Sequence, residues 1–172
     1  MTTPARALPA LAMLALPLAL YRGGCNRNTD PGNDREAQLE HPPKAAPVES
    51  ASAALANVAT AIIKPQTMTS ADIGVLGGME GRCDFGMTEV AFPSFLYRPG
   101  SDGAIKLNGK LIPLPSIGEN RFADGGLSVT LRPLEEEGNA GSQGMRMIVI
   151  SPAAEDEIGY DGYVRCHDGD GP

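Results

Sequence analysis

Tryptophan is absent from this 172-residue chain, and only eight aromatic side chains occur, four Tyr and four Phe. Such a composition predicts a small core. Basic residues are also scarce, with 14 Lys and Arg against 21 Asp and Glu, a net charge of −7 and a pI near 4.8. A nucleic-acid binder needs a basic face for phosphates, so that class is disfavoured. An acidic surface instead favours solubility and cationic partners. No glycine motif cradles phosphate, because Gly77-Gly78 and Gly125-Gly126 read as turn glycines. The carboxylates Asp156, Glu157, Asp161, Asp168 and Asp170 lack the spacing of a calcium loop. His41 and His167 stand apart from any strand constellation of Ser or Cys, so neither a Ser-His-Asp nor a Cys-His arrangement is supported. No metal or cofactor is implied, and an enzyme is not the expected class.

What the chain does have is turns. Its 21 Gly and 15 Pro make up 36 of 172 residues, well above ordinary use. The stretch from Gly103 to Pro133 organises the rest, with turn signals at Asn108-Gly109 and Asp124-Gly125-Gly126. Asn-Gly suits a two-residue hairpin because both central residues need positive φ. Ile105 and Leu107 are expected to answer Leu111 across the first turn. After the second, Leu127, Val129 and Leu131 alternate with Ser128 and Thr130, the period of a half-buried strand.

The same reading places strands at Arg82–Phe85, Thr88–Tyr97, Ala104–Asn108, Lys110–Leu114, Asn120–Ala123, Leu127–Arg132, Met145–Ile150 and Gly162–Cys166. Pro93 makes the second an edge or bulged strand. The acidic, Gly-rich run Glu135–Gly144 reads as a solvated loop, as does Glu155-Asp156-Glu157. About eight short strands with frequent turns predict a mainly β fold, a small antiparallel barrel or sandwich.

Three cysteines leave one over. Cys83 and Cys166 bracket the strands and are expected to pair, closing a loop with 82 residues between them. In the chain-entropy treatment such a crosslink is worth roughly 4–5 kcal/mol. With both bonded, no nucleophilic thiol remains in the core. Cys25 stands at the end of a leader, residues 1–25, in which the apolar run Leu8–Leu20 spans 13 residues, too short for a mature membrane helix. Gly23-Gly24-Cys25 resembles a bacterial lipoprotein signal, whose cysteine is lipidated; Arg22 departs from the apolar residue usual at its position. The resemblance implies export and a lipid anchor at Cys25. Asn26, in place of the Asp that tends to retain such proteins in the inner membrane, implies the outer membrane, facing the periplasm. A plain export signal would leave a soluble periplasmic protein.

Residues 26–48 carry Pro31, Pro42, Pro43 and Pro47 and few large apolar groups, so they read as a disordered tether. Residues 49–79 read as short helical segments. Ala51, Ala54, Leu55, Val58 and Ile62 recur at helical spacing, with Ser50 to cap the start and Pro65 to mark the end. Thr69 and Asp72 form a variant capping box, and Gly77-Gly78 ends a second short helix. The β domain then occupies 80–167, and 168–172 is a tail.

Two family resemblances follow from these residues. The segments IKPQTMTSADIGVLGG, FPSFLYRPG, AIKLNGKLIPLP, RFADGGLSVTLRP and GYVRC resemble uncharacterised envelope lipoproteins of Gram-negative bacteria, a likeness that implies no particular activity. More loosely, the domain resembles membrane-bound inhibitors of c-type lysozyme, lipid-anchored eight-stranded barrels carrying a Ser-Gly-x-x-Tyr loop. Here that run becomes Gly118-Glu119-Asn120-Arg121-Phe122, with Ser116 two residues early. The resemblance implies a partner-binding loop at Ser116, Gly118, Arg121 and Phe122, with Arg121 reaching a carboxylate of a lysozyme cleft. Residues 83–166 hold 12 acids and 7 Lys or Arg, a net of −5 (7 − 12), which would steer a cationic partner.

Overall fold

The computed structural model describes residues 42–58, 64–152 and 157–167. The leader with Cys25, the tether to residue 41, Ile62, and the tail 168–172 lie outside the described residues.

Eight antiparallel strands close into a barrel in chain order. They are β1 (Arg82–Gly86), β2 (Phe95–Arg98), β3 (Asp102–Leu107), β4 (Lys110–Gly118), β5 (Arg121–Asp124), β6 (Leu127–Glu137), β7 (Gln143–Ile150) and β8 (Ile158–His167). At the Asn108-Gly109 turn φ is 49° and 72°, and at Gly125-Gly126 it is 52° and 86°. Both pairs occupy the left-handed region that a two-residue hairpin requires. β1 closes on β8 with Cys83 opposite Cys166, their Cα atoms 3.9 Å apart and the sulfurs bonded.

Three local expectations are corrected. Residues 87–94 form a loop, not a strand, and only Phe95–Arg98 pairs; Pro93 cannot donate to a ladder. Glu135–Glu137 continues β6 and Gln143-Gly144 opens β7, so the acidic loop shrinks to a short 3-10 turn at Asn139–Gly141 with its flanks. Leu111 does not face Ile105 and Leu107. It pairs with Lys106 on the outer side of the wall, while Ile105 pairs with Ile112 inside.

The short strands explain the N-terminal segment. β2 and β5 have four residues each, so parts of β3 and β4 reach beyond them. Backbone groups left there need partners. The Leu111 N–H donates to Pro47 O and the Leu111 carbonyl accepts from Glu49 N, both at 2.9 Å. The Lys106 carbonyl accepts from Gln66 N at 2.9 Å. Pro47 and Val48, expected as the end of a tether, and Glu49 after them are thus docked on the barrel.

Between these contacts Ser50 caps α1 (Ala51–Ala54), accepting from Ala53 N. The apolar stripe packs on the barrel through Ala51 and Ala54, which belong to the interior cluster with Leu55 and Val58 beside them. The helix is shorter than its stripe, since Asn57 takes φ 61°, a left-handed conformation that stops a helix. α2 (Ser70–Val75) carries the capping box at Thr69 and Asp72, and Gly77 and Gly78 follow it at φ 93° and 89°. Its Ile73 and the preceding Met68 cover Leu96 and Leu111 on the outer wall, a second small core.

Candidate functional site

The barrel interior is filled. Phe95 stacks on Tyr97 with centroids 5.4 Å apart, and Phe122 meets their edges at 5.1 and 5.4 Å. Burial pushes the Tyr97 hydroxyl up to about 12, with the Asp84 charge adding to it. A Cβ at Gly103 would lie 2.4 Å from Phe95 Cζ, and one at Gly162 would lie 2.7 Å from Phe85 Cζ. An interior without room for a methyl group at these two positions does not hold a ligand there.

The loop implied by resemblance is a tight hairpin. β4 runs to Gly118 and β5 begins at Arg121, leaving a two-residue turn in which Asn120 takes φ 52°. Gly118 and Arg121 are exposed, and Ser116 is half-buried with its hydroxyl donating to Gly118 O at 3.0 Å. Phe122 is corrected. It is fully buried in the aromatic cluster, because strand alternation turns it inward one residue after Arg121 turns out, so it cannot touch a partner.

A charged seam runs outside β1 and β8. Asp84 is 1% exposed, with Oδ1 2.6 Å from His167 Nε2 and Oδ2 3.6 Å from an Arg165 guanidinium nitrogen. That Oδ2 makes no hydrogen bond among the described residues. Arg82, also buried, donates to Leu76 O at 2.9 Å and lies 3.5 Å from Asp102. The Arg98 guanidinium and the Ser101 hydroxyl hold the Asp102 carboxyl below the usual range against its partial burial.

An Asp–His pair invites a catalytic reading, but buried Ser94 on the neighbouring loop does not stand beside it among the described residues. Ser94 is buried, and its N–H donates to Phe85 O at 2.8 Å, whereas His167 pairs with Arg82, three residues away on β1. That is a separation of about 10 Å along the strand. Among the described residues no group of three His, Cys, Asp or Glu side chains is placed to hold a metal ion.

Beside this seam lies an apolar hollow of about 240 Å³ between α2 and the β1–β2 loop. Ile73 and Met79 form one side, and Ala91, Phe92 and Pro93 the other. Val90 and Arg165 complete it, and Arg165 is the one charged group in the lining among the described residues. Val90 is 93% exposed and Phe92 55%. A second, polar hollow of about 410 Å³ lies along the β6–β7 hairpin, bordered by Glu135, Glu136 and Gln143. Sequence reasoning missed the apolar site because Val90 to Pro93 reads as strand, and periodicity does not report which loop residues stay uncovered. The seam was within reach. Once Cys83 is paired with Cys166 across antiparallel strands, Asp84 must fall opposite Arg165.

The chain matches a protein-family model described as a domain of unknown function (DUF6692) over residues 21–169. It belongs to that family. No curated protein and no solved structure matches it. The DUF6692 match takes in both the docked N-terminal segment and the barrel, in keeping with the backbone bonds that join them.

Proposed function

We propose that the chain is a non-enzymatic binding or envelope-support module, lipid-anchored at Cys25 on the outer membrane and facing the periplasm. The filled barrel carries this reading: with side chains packed through the interior, recognition falls to the outer surface, where an uncovered apolar hollow meets the Arg165 cation. The Cys83–Cys166 bond supports export, since such bonds persist in oxidising compartments. The acidic domain favours a cationic protein partner. Fractionation tests the placement. The parent should travel with membranes and Cys25→Ser with the soluble periplasm; identical fractionation would remove the anchor from this reading.

A narrower alternative, inhibition of a c-type lysozyme, is favoured by one observation. Arg121 is exposed at the β4–β5 turn, where it can reach a carboxylate. Lysozyme retaining full activity with micromolar soluble Cys25→Ser chain would exclude it.

A further inference from the structure

We propose that the hollow between α2 and the β1–β2 loop is an anchor site for a protein partner, which inserts one large apolar side chain and sets an adjacent carboxylate on Arg165. This rests on reading the chain as a binding module and names what that module recognises. The size argues for a side chain. About 240 Å³ lies below the range of small-molecule sites and suits a single anchor residue. The walls are apolar, and Phe92 and Val90 stand at the rim with more than half of their surface in water. Covering them is favourable for any apolar occupant.

Arg165 supplies the selectivity. Its side chain is 39% exposed and 3.6 Å from buried Asp84 Oδ2, with the Glu89 carboxylate close enough to feel its charge. A guanidinium has five N–H donors in a planar fork that fits a carboxylate in bidentate fashion. Asp84 neighbours one guanidinium nitrogen, and the exposed part of the fork is open to a ligand. Removing the carboxylate from an occupant that has reached this site loses charge-assisted hydrogen bonds.

Charge chooses a protein over an anionic membrane surface. Residues 83–166 carry a net of −5, which repels an anionic bilayer and draws a basic protein. The long-range field and the local cation then have separate roles. The acidic domain gathers a basic partner, and Arg165 reads one carboxylate at the point of contact. That carboxylate is either a chain terminus or an acidic side chain next to the apolar residue, and both present the same two oxygens.

The test uses exported Cys25→Ser chain, isotope-labelled, and nuclear magnetic resonance titration with three acetylated peptides. One is Lys-Lys-Gly-Phe with a free terminus, one is its amide, and one is Lys-Lys-Gly-Phe-Asp-Gly amide. Saturable shifts at Ile73, Met79 and Ala91 are expected. The amide of the first should bind about tenfold more weakly than the acid if the terminus is read. The third peptide matching the acid would assign an acidic side chain as an equivalent source. Arg165→Gln should abolish the difference between acid and amide, and Phe92→Ser should weaken all three peptides; both variants should keep the parent's thermal midpoint to within a few degrees. Equal binding of all three peptides to the parent overturns the role of Arg165. Saturable binding mapped to another face overturns this site and leaves the binding-module reading standing. No saturable peptide shift, with phosphatidylglycerol vesicles perturbing the same residues, replaces the partner with a membrane. No shift from any probe, together with no envelope protein crosslinked to the parent chain in cells, would remove both readings.

Discussion

Asp72 is the side chain on which the outer layer is fastened. It is fully buried, and burial by itself would raise its pKa. Hydrogen bonds outweigh that effect. Lys106 Nζ donates at 2.7 Å, Thr69 N at 2.7 Å and Ala46 N at 2.6 Å, and the carboxyl falls to about 2. A carboxyl depressed in the folded state stabilises fully above its unfolded value, 3.8, and loses that contribution as pH falls through about 2. The amount at stake is about 2 kcal/mol. Stability of the parent should therefore fall between pH 4 and pH 2, and Asp72→Asn should flatten that part of the curve. Urea unfolding across this range measures it, and an Asp72→Asn profile parallel to the parent would refute the assignment. At neutral pH the same variant should lose about 3–5 kcal/mol, because Lys106, 13% exposed, is left without its counter-charge. The Thr69–Asp72 spacing made the capping box legible in the sequence. Lys106 was not, because a lysine in an alternating strand reads as a solvated position until something covers that face.

The element that sequence reading placed least well is the N-terminal segment, and strand periodicity accounts for the error. Alternation identifies a strand with one wet face. In β3 and β4 both faces are partly covered: Ile105, Leu107, Ile112 and Leu114 line the barrel, while Leu111 is buried outside beneath Met68 and Ile73. Leu111 therefore reads as a member of the inner row, although it is one position out of step with Ile112. The hairpin turns escaped this ambiguity, since Asn108-Gly109 and Gly125-Gly126 depend on local backbone sterics. Leu111→Ala should cost about 2–5 kcal/mol, the range for a buried leucine, but its effect should be localised. Amide exchange at Glu49, whose N–H donates to Leu111 O, and at Met68, whose N–H donates to Pro93 O, should speed up first. Protection in the centre of the β6–β7 ladder should persist. If β6 and β7 lose protection together with Glu49, the segment and the barrel are one cooperative unit and the outer layer is not separable.

At the scale of the whole molecule, strand count and hairpin order were legible, and closure was the open question between barrel and sandwich. Closure depends on β1 meeting β8, the pairing most distant in sequence, and neither turn chemistry nor alternation speaks to it. The cysteines do. Their positions at the two ends of the strand-rich region anticipate the seam, and in the structure they face each other within it. Two terms therefore hold the seam. One is the ladder of five residue pairs from Arg82–His167 to Gly86–Tyr163. The other is the crosslink across a separation of 83 residues, worth roughly 4–5 kcal/mol through the unfolded chain. That is a large share of the stability of an ordinary domain, about 5–15 kcal/mol. The entropic term acts on the unfolded state, which sets the form of the prediction. Cys83→Ser with Cys166→Ser should lower the free energy of unfolding by several kcal/mol while raising the denaturant dependence, because the released chain expands and exposes more surface. The native strand pairing, read from amide contacts between β1 and β8, should remain. A loss below about 1 kcal/mol with an unchanged slope would show that the ladder alone closes the barrel. Loss of the β1–β8 contacts in the folded protein would show instead that the crosslink holds the native seam directly.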